Sequence, residues 1–356
     1  RARPEGAAVR PAADPRPGDP RPGDPRPGAD HPRAAQDGAA TVSPEARSAA
    51  PGPAAELPAE VSRLLAEHPD LARIVLSSPE LTASLAARPM TLQHLASYPQ
   101  AVEVLARVLA DIETRGVEAV VADGTPVPHP TPLTPEQRAV SARVEVTGSR
   151  YQTGFDHRRV GDAEYRSAFL DRMYEQAAVA QDELRRLVVR IASETGGEPG
   201  WRRGPKDRVR AEDKIREYRG DVSKLTDLAG AKIEFRSLDD LYQALARLID
   251  EPGVRIVKFK DRFENPQDSG YRDVQMSVRL SNGHVAELRL HLTSLDEVAA
   301  WEHALYEVRR DLDALAEELG RALNVAETAI RDGILREEQR LFWEALRTAL
   351  RGEGGE

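Results

Sequence analysis

Four prolines spaced ten residues apart begin the clearest hydrophobic pattern in the chain. The sixth residue after each of them is apolar. The prolines are Pro69, Pro79, Pro89 and Pro99, and the apolar positions are Val75, Leu85, Leu95 and Leu105. Because proline suits the first helical position, each unit is predicted to be a short helix opened by its proline, with a longer helix near 102–114. Such an array would serve as a docking or processing module or, more simply, as a helical spacer.

A second pattern has helical period and predicts one long amphipathic helix. Asp162 can cap it, and Thr195-Gly196-Gly197 ends it. Its apolar positions recur at three- and four-residue steps: Tyr165, Phe169, Met173, Ala177, Ala180, Leu184, Leu187 and Ile191. We interpret this stripe as core.

The next segment alternates strands with a helix. Residues 225–235 predict a turn leading into a strand, followed by a helix over 239–248 and a strand over 255–259. Asp227 stands at the entrance of the first strand with apolar residues on both sides. A carboxylate buried there costs free energy unless it is paired or bound to a metal, so Asp227 is a candidate ligand.

Strict alternation of apolar and polar residues over 274–280 and 286–292 predicts a β-hairpin. An even loop around Asn282-Gly283 would place Glu287 opposite Val278 and mix the two faces. A three-residue loop, Asn282-Gly283-His284, keeps the faces separate. It predicts three cross-strand pairs: Arg279 with Glu287, Ser277 with Arg289, and Gln275 with His291.

This register gathers Tyr271, Glu287, Arg289 and His291 on the sheet face that the core does not need. A solvated outer face is the simpler interpretation, but a Glu among Arg, His and Tyr is more typical of a site. After the hairpin, residues 294–297 predict a capping box that opens a helix. His303 lies in the first turns of that helix.

Charge adds a candidate phosphate-binding segment. Between residues 201 and 219 there are eight basic residues against four acidic ones. Lys206, Arg210 and Lys214 recur every fourth residue, which would align them on one helix face. Three aligned like charges either form a solvated face or meet an anion such as a polyphosphate.

Composition sets the domain organisation. The chain has 356 residues, 26 Pro and 25 Gly, no Cys and a net charge of −9. We predict a disordered Pro-rich tether over 1–58, a short-helix array over 59–115, a Pro-rich linker over 116–155 and a catalytic domain over 156–350 with its core at 201–310. The fold class expected for the last is α+β, a small mixed β-sheet with flanking helices. Neither a membrane span nor a signal peptide is predicted. Without an initiator Met, the chain is expected to be the C-terminal piece of a larger protein.

Five motifs in order make residues 201–310 resemble the RelA/SpoT family of nucleotide pyrophosphokinases, which make the alarmone (p)ppGpp. Two lysines eight residues apart match Lys206 and Lys214, and the D-L-x-G-x-R-I strand matches 227–233 with Lys232 in place of Arg. The family's K-D-R-F and G-Y-R segments match 260–263 and 270–272. Its E-x-Q strand falls on Glu287, and its E-H pair falls on 302–303.

The resemblance implies a nucleotidyltransferase-type fold and transfer of pyrophosphate from ATP to the ribose 3′-OH of a GDP- or GTP-like acceptor. It implies that Asp227 and Glu287 hold Mg²⁺ and that Glu287 accepts the hydroxyl proton. The side chains implied to bind ATP phosphates are Lys206, Arg210, Lys214, Lys232 and Arg262. Those implied to bind the acceptor are Tyr271, which would stack on its base, with Arg272, Arg289, His291 and His303.

Several departures from the family leave the acceptor open. Arg210 replaces a Ser, Asp273 and Gln275 stand where Ser and His are usual, and Arg289 replaces the strand Gln. One alternative is a toxin of the same chemistry that modifies adenine nucleotides or the 3′ end of tRNA. It would be exported as part of a bacterial effector, act in the cytoplasm and be matched by an immunity protein. Another is an inactive nucleotide-binding domain that regulates or scaffolds.

Overall fold

The computed structural model describes residues 57–352. The predicted tether lies almost wholly outside the described residues. The helices are α1 Ala59–Glu67, α2 Pro69–Ser77, α3 Pro79–Leu85, α4 Pro89–Ser97, α5 Pro99–Arg115, α6 Val117–Ala122, α7 Pro135–Ala142, α8 Ala163–Thr195, α9 Arg208–Glu217, α10 Leu238–Ile249, α11 Thr293–Glu318 and α12 Val325–Gly352. The strands are β1 Glu198–Trp201, β2 Gly230–Phe235, β3 Arg255–Asp261, β4 Val274–Arg279 and β5 Val285–Leu292. None of these helices is long and apolar enough to cross a bilayer.

The five strands form one mixed sheet in the order β1-β2-β5-β4-β3. Strands β2 and β5 run parallel, and the remaining neighbours are antiparallel. The long helix α8 and helix α10 pack against the sheet, and the apolar side chains of β2, β4 and β5 complete this core. The α+β class with a small mixed sheet and flanking helices is therefore confirmed.

The helix starts predicted from the ten-residue repeat are also confirmed. Helices α2, α3, α4 and α5 each begin at their proline. Helix α8 begins after Asp162, whose side chain accepts from the Tyr165 N–H, and it ends at Gly196 with φ +73°. The predicted linker is not extended throughout, because α6 and α7 lie within it.

The helical array packs into a second apolar core with the C-terminal helices. Leu92, Leu95 and Leu105 from the array share this core with Leu305 on α11 and Ile334 on α12. Polar contacts also cross the interface: the Thr91 hydroxyl donates to Asp311 over 2.6 Å, and Arg107 pairs with Glu337 at 3.0 Å. The array is thus in direct contact with α11 and α12. The division into separate domains stays a prediction.

The hairpin has the predicted three-residue loop, but its register differs by two residues from the prediction. Arg279 pairs with Val285, Ser277 with Glu287, and Gln275 with Arg289. The loop is 281–283, because Gly283, at φ +83°, takes the left-handed position that ends such a loop. A shift of two residues keeps every side chain on its predicted face, since the side-chain period of a strand is two.

The start of α11 also differs from the prediction. Strand β5 runs directly into the helix, whose N-cap is Leu292 with no side-chain cap. The predicted capping box is therefore wrong. The helix already begins at Thr293, so Ser294 lies inside its first turn and cannot be the N-cap.

Candidate active site

Asp227 is the centre of a buried charge cluster at the start of β2. Its Oδ2 accepts from Lys206 Nζ at 2.5 Å and from Lys214 Nζ at 2.9 Å. The three side chains are nearly inaccessible, at 5%, 5% and 8% exposure for Asp227, Lys206 and Lys214. Its other oxygen, Oδ1, is buried and has no hydrogen-bond partner among the described residues. The cluster therefore carries excess positive charge and one uncommitted carboxylate oxygen.

The two lysines reach Asp227 from different backbone settings. Lys214 lies on α9, whereas Lys206 precedes the helix, which begins after Asp207 caps it through the Arg210 N–H. The prediction that Lys206, Arg210 and Lys214 share one helix face is therefore wrong. The Arg210 side chain is exposed, and the structure does not bring it to Asp227.

The charges of the two neighbouring lysines favour the ionised form of Asp227. Burial raises the pKa of this carboxyl, but Lys214 and Lys206 outweigh burial and hold the pKa well below its usual range. For Lys206, burial prevails over Asp227 and lowers the pKa. The pKa of Lys214 is raised, because Asp227 and neighbouring groups that include Glu287 overcome burial. Lys214 is thus under the influence of both predicted metal carboxylates.

Glu287 lies opposite the start of β2, three residues after Asp227, because β2 and β5 are parallel neighbours. Gly230, which begins β2, is paired with Glu287 in β5. Arg289 binds the Glu287 carboxylate with two parallel hydrogen bonds, from Nε to Oε1 and from Nη2 to Oε2, each 3.0 Å. Gln275 Nε2 adds a 2.7 Å bond to Oε2. The predicted polar face is confirmed as a shared face, but it is buried rather than open.

Asp273 anchors the next part of this face. It is fully buried and accepts from Arg262 Nη1 at 2.5 Å and from the Tyr271 hydroxyl at 3.0 Å. Arg289 Nη1 lies 3.7 Å from its Oδ2. Burial raises the pKa of Asp273, but Arg262, Arg289 and His291 lower it to about 2. The guanidinium groups of Arg262 and Arg289 are thus directed at protein carboxylates.

Tyr271 and Arg272, both predicted to bind the acceptor, are covered. Tyr271 is 3% exposed and its ring meets Phe342 of α12 edge-on at 5.7 Å. Arg272 is 1% exposed and donates to Gly270 O at 2.5 Å, to Thr131 Oγ1 at 2.9 Å and to His129 O. Burial without a carboxylate partner lowers the pKa of Arg272 to about 10. The structure therefore assigns Arg272 to holding the 129–131 segment and not to a ligand.

Lys232 and His291 meet at the far end of β2 and β5. Lys232 Nζ donates to Asp296 at 2.7 Å and pairs with Glu234 at 2.5 Å, while His291 Nδ1 lies 3.0 Å from Asp296. Burial raises the pKa of Asp296, but His291 and Lys232 bring it well below its usual range. These side chains form an ion cluster next to Asp273, and His291 Nε2 lies 4.0 Å from that carboxylate.

His303 is not part of this group. Its Nε2 lies 3.4 Å from Glu307, its ring stacks on Tyr306, and Glu307 also contacts His94 of the array at 2.7 Å. The structure therefore does not bring His303 to the face that carries Glu287 and Arg289. Helix α11 turns His303 toward the array.

Asp273, Gln275 and Asp296 also contact the predicted site residues, although their sequence pattern did not predict them as members of the site. A signal existed for the first two, because Asp273 and Gln275 share the period of the β4 polar face. No comparable signal existed for Asp296, which the capping pattern assigned to a helix start.

The residues fit a divalent cation held by two carboxylates. Among the described residues, no partner reaches the buried Oδ1 of Asp227, and Glu287 Oε1 accepts one hydrogen bond, from Arg289. Mg²⁺ is commonly held by one or two carboxylates, with substrate phosphates supplying the other oxygens. Within residues 57–352 no group of three or more His, Cys, Asp or Glu is placed to hold a metal, so phosphate oxygens would be needed here too.

Residues 204–309 match the family described as "Region found in RelA / SpoT proteins". Among curated proteins, the chain is 32% identical over 109 residues to the GTP pyrophosphokinase YwaC of Bacillus subtilis (strain 168). That alignment covers 28% of this chain and 52% of YwaC, so the chain spans about half the length of this relative.

Solved structures with similar coordinates include small alarmone synthetases. Small alarmone synthetase 2 of Bacillus subtilis has a TM-score of 0.37 and 21% identity, covering 52% of this chain and 96% of that one. The Type VI effector Tas1, solved with its immunity protein, has a TM-score of 0.35 and 21% identity, covering 50% and 95%. On the family match and the motifs within it, residues 204–309 form a RelA/SpoT-like region.

Proposed function

We propose that this domain transfers the β,γ-pyrophosphate of ATP to the ribose 3′-OH of a guanine nucleotide, giving a (p)ppGpp-type alarmone. The observation that carries the proposal is the Asp227 cluster, in which two buried lysines share one carboxylate oxygen and leave the other uncommitted. Phosphoryl-type transfer requires positioning and charge neutralisation more than covalent chemistry by the protein. Two lysines and two carboxylates at the head of adjacent parallel strands supply those requirements.

In the proposed reaction the acceptor 3′-oxygen bonds to the β-phosphorus while the bond from that phosphorus to the α,β-bridging oxygen breaks, releasing AMP. Lys206 and Lys214 would exchange the Asp227 carboxylate for the ATP phosphates. Glu287 would accept the proton of the attacking hydroxyl. Mg²⁺ held by Asp227 and Glu287 would neutralise phosphate charge.

The side chains expected to contact the acceptor are covered or already paired. Tyr271 could stack on a base only after Phe342 and α12 cease to cover its ring. Arg289 and Arg262 are paired with carboxylates. Adenine nucleotides and the tRNA 3′ end therefore remain alternative acceptors of the same chemistry, and an immunity protein would accompany a toxin of this kind.

The test is an acceptor screen on the purified chain with ATP and Mg²⁺. Separate reactions contain GDP, GTP, ADP or tRNA, and AMP release is measured together with the pyrophosphorylated product. We expect product with a guanine nucleotide and a loss of at least about 100-fold in Asp227→Asn, which removes the charge that orders the two lysines.

The matched control is Asp250→Asn, which removes a carboxylate from an exposed pair with Arg143. This variant is expected to retain full activity. Product with ADP or tRNA alone would move the proposal to the toxin alternative. AMP release that is independent of every acceptor and unchanged by Asp227→Asn would contradict pyrophosphate transfer altogether.

A further inference from the structure

Glu287 belongs to a closed ring of buried and half-buried side chains, which we call the Glu287 ring. Its members are Arg262, Asp273, Gln275, Glu287 and Arg289. Arg262 donates to Asp273 at 2.5 Å and to Gln275 Oε1 at 2.9 Å. Gln275 donates to Glu287 at 2.7 Å, Arg289 binds Glu287 twice at 3.0 Å, and Arg289 Nη1 returns to Asp273 at 3.7 Å. Two arginines and two carboxylates leave the ring with no net charge.

Arg289 is the member that fixes the carboxylate. Residues 287 and 289 point to the same face of β5, so the guanidinium fork lies flat against the Glu287 oxygens. Bidentate pairing of this kind sets the orientation of both groups. The opposite side of the guanidinium faces Asp273, which is itself held by the Tyr271 hydroxyl. Arg289 is thus held from two sides.

This geometry directs the Arg289 guanidinium at two protein carboxylates. Its Nε and one Nη2 hydrogen serve Glu287, its Nη1 is directed at Asp273, and its side chain is only 10% exposed. Turning toward an acceptor phosphate would cost Arg289 both of these carboxylate contacts. Burial lowers the pKa of Arg289, but Glu287, Asp273 and neighbouring groups stabilise the charged guanidinium and raise the pKa overall.

We infer that Arg289 is a positioning residue for Glu287 and does not bind the acceptor. The inference rests on the proposed function for the role of Glu287 in transfer, while the ring itself rests on contacts alone. A Gln at position 289, as in the resembling family, would offer one uncharged amide in place of the charged fork. In this chain the orientation of Glu287 therefore depends on Arg289 and, behind it, on Asp273.

The kinetic test compares Arg289→Gln, Arg289→Lys and the wild type, with each substrate varied in turn. Partners that orient a metal ligand or catalytic group commonly contribute on the order of 10- to 100-fold to activity. We expect kcat to fall by about that factor in Arg289→Gln, with KM for the acceptor changed by less than about threefold. Arg289→Lys should recover part of kcat, because it restores the charge but not the fork.

Arg255→Gln is the matched control, because Arg255 is exposed on the edge strand β3. It should leave kcat and KM unchanged. The inference would be overturned if Arg289→Gln raised the acceptor KM and retained kcat, with a larger KM increase for a triphosphate than for a diphosphate acceptor. That result would show that Arg289 binds phosphate. An unchanged kcat would overturn it as well.

A second readout needs no turnover. In protein labelled with ¹⁵N-arginine, the Arg289 Nε–H should give a signal protected from solvent exchange, and Glu287→Gln should abolish that protection while Arg255→Gln does not. If the wild type transfers no pyrophosphate but the protection behaves as expected, the proposed function fails and the ring stands. If Glu287→Gln leaves the signal unchanged, Arg289 does not hold Glu287 and the inference fails.

Discussion

Asp227 and Asp273 are two buried carboxylates with different degrees of pairing. Both oxygens of Asp273 are engaged, by Arg262 and by Tyr271. Asp227 receives two lysines on one oxygen and keeps the other uncommitted. A buried polar atom without a partner costs free energy, and such atoms concentrate where a ligand completes the set. Asp273 is therefore suited to a structural role and Asp227 to binding a ligand.

Asp273 leads to a prediction on pH. Its pKa is about 2 in the folded chain against an ordinary 3.8, so its ion pairs stabilise the fold above pH 3.8 and that stabilisation is lost as pH falls toward 2. The contribution is roughly 2 kcal/mol, at about 1.4 kcal/mol per pKa unit. We expect the free energy of unfolding of Asp273→Asn to lie below that of the wild type at pH 6, and the gap to narrow between pH 4 and pH 2.

Urea unfolding at a series of pH values measures this gap. Asp250→Asn, at an exposed pair, should show no comparable dependence. A gap between Asp273→Asn and wild type that is the same at pH 6 and pH 2 would contradict the assignment of Asp273 as a paired, ionised carboxylate.

At the scale of elements, the parallel pair β2 and β5 creates the site. Parallel strands begin at the same edge of a sheet, so Asp227, just before β2, and Glu287, opposite the first residue of β2, lie at the same edge. The antiparallel β4 then adds Gln275 opposite Arg289. The hairpin register therefore determines which donors reach Glu287.

Helices α5 and α12 make a close approach that yields a second prediction. A Cβ at Gly333 of α12 would lie 2.7 Å from Val108 Cγ1 of α5. Although Ala favours a helix over Gly by about 1 kcal/mol, overpacking of this kind costs about 1–3 kcal/mol. We expect Gly333→Ala to lower the melting temperature and Val108→Ala in the same chain to restore part of the loss.

Thermal unfolding of the two single variants and the double variant measures this coupling. Strictly additive effects would mean that the two helices do not meet at Gly333. Gly320 is the control for backbone strain, because it is exposed, has φ +64° and has nothing within 4 Å of an added Cβ. Gly320→Ala should therefore destabilise the fold through strain alone, and Val108→Ala should not restore that loss.

At the scale of the whole molecule, the array and the sheet domain are connected through α11 and α12. Helix α11 leaves the sheet at β5 and then packs against the array, and α12 contacts α5 and α6 while its Phe342 covers Tyr271. The C-terminal helices therefore belong to both cores.

This arrangement predicts that the two cores unfold together. Leu305 of α11 is fully buried against the array, so Leu305→Ala should lower the free energy of unfolding by about 2–5 kcal/mol. Amide hydrogen exchange should report lower protection in both the array and β5. Leu76→Ala, at a position 54% exposed, is the control and should change neither. Loss of protection in the array alone would favour the simpler interpretation of a helical spacer.

Much of the local structure follows from the sequence alone. Proline placement determined where α2 to α5 begin, because proline tolerates only the first helical turn. The two-residue period of β4 and β5 determined that Gln275, Glu287, Arg289 and His291 share a face, whatever the register. The charge and order of Lys206, Lys214 and Asp227 indicated a phosphate site before any contact was known.

Only the tertiary structure decided which of these side chains are free to bind a ligand. Arg272 is held by residues 129 and 131, His303 faces the array, and Tyr271 lies under Phe342. The exact register depended on the left-handed backbone at Gly283. These outcomes rest on contacts between residues far apart in the chain or on backbone geometry, and a local pattern of polar and apolar positions contains no information about either.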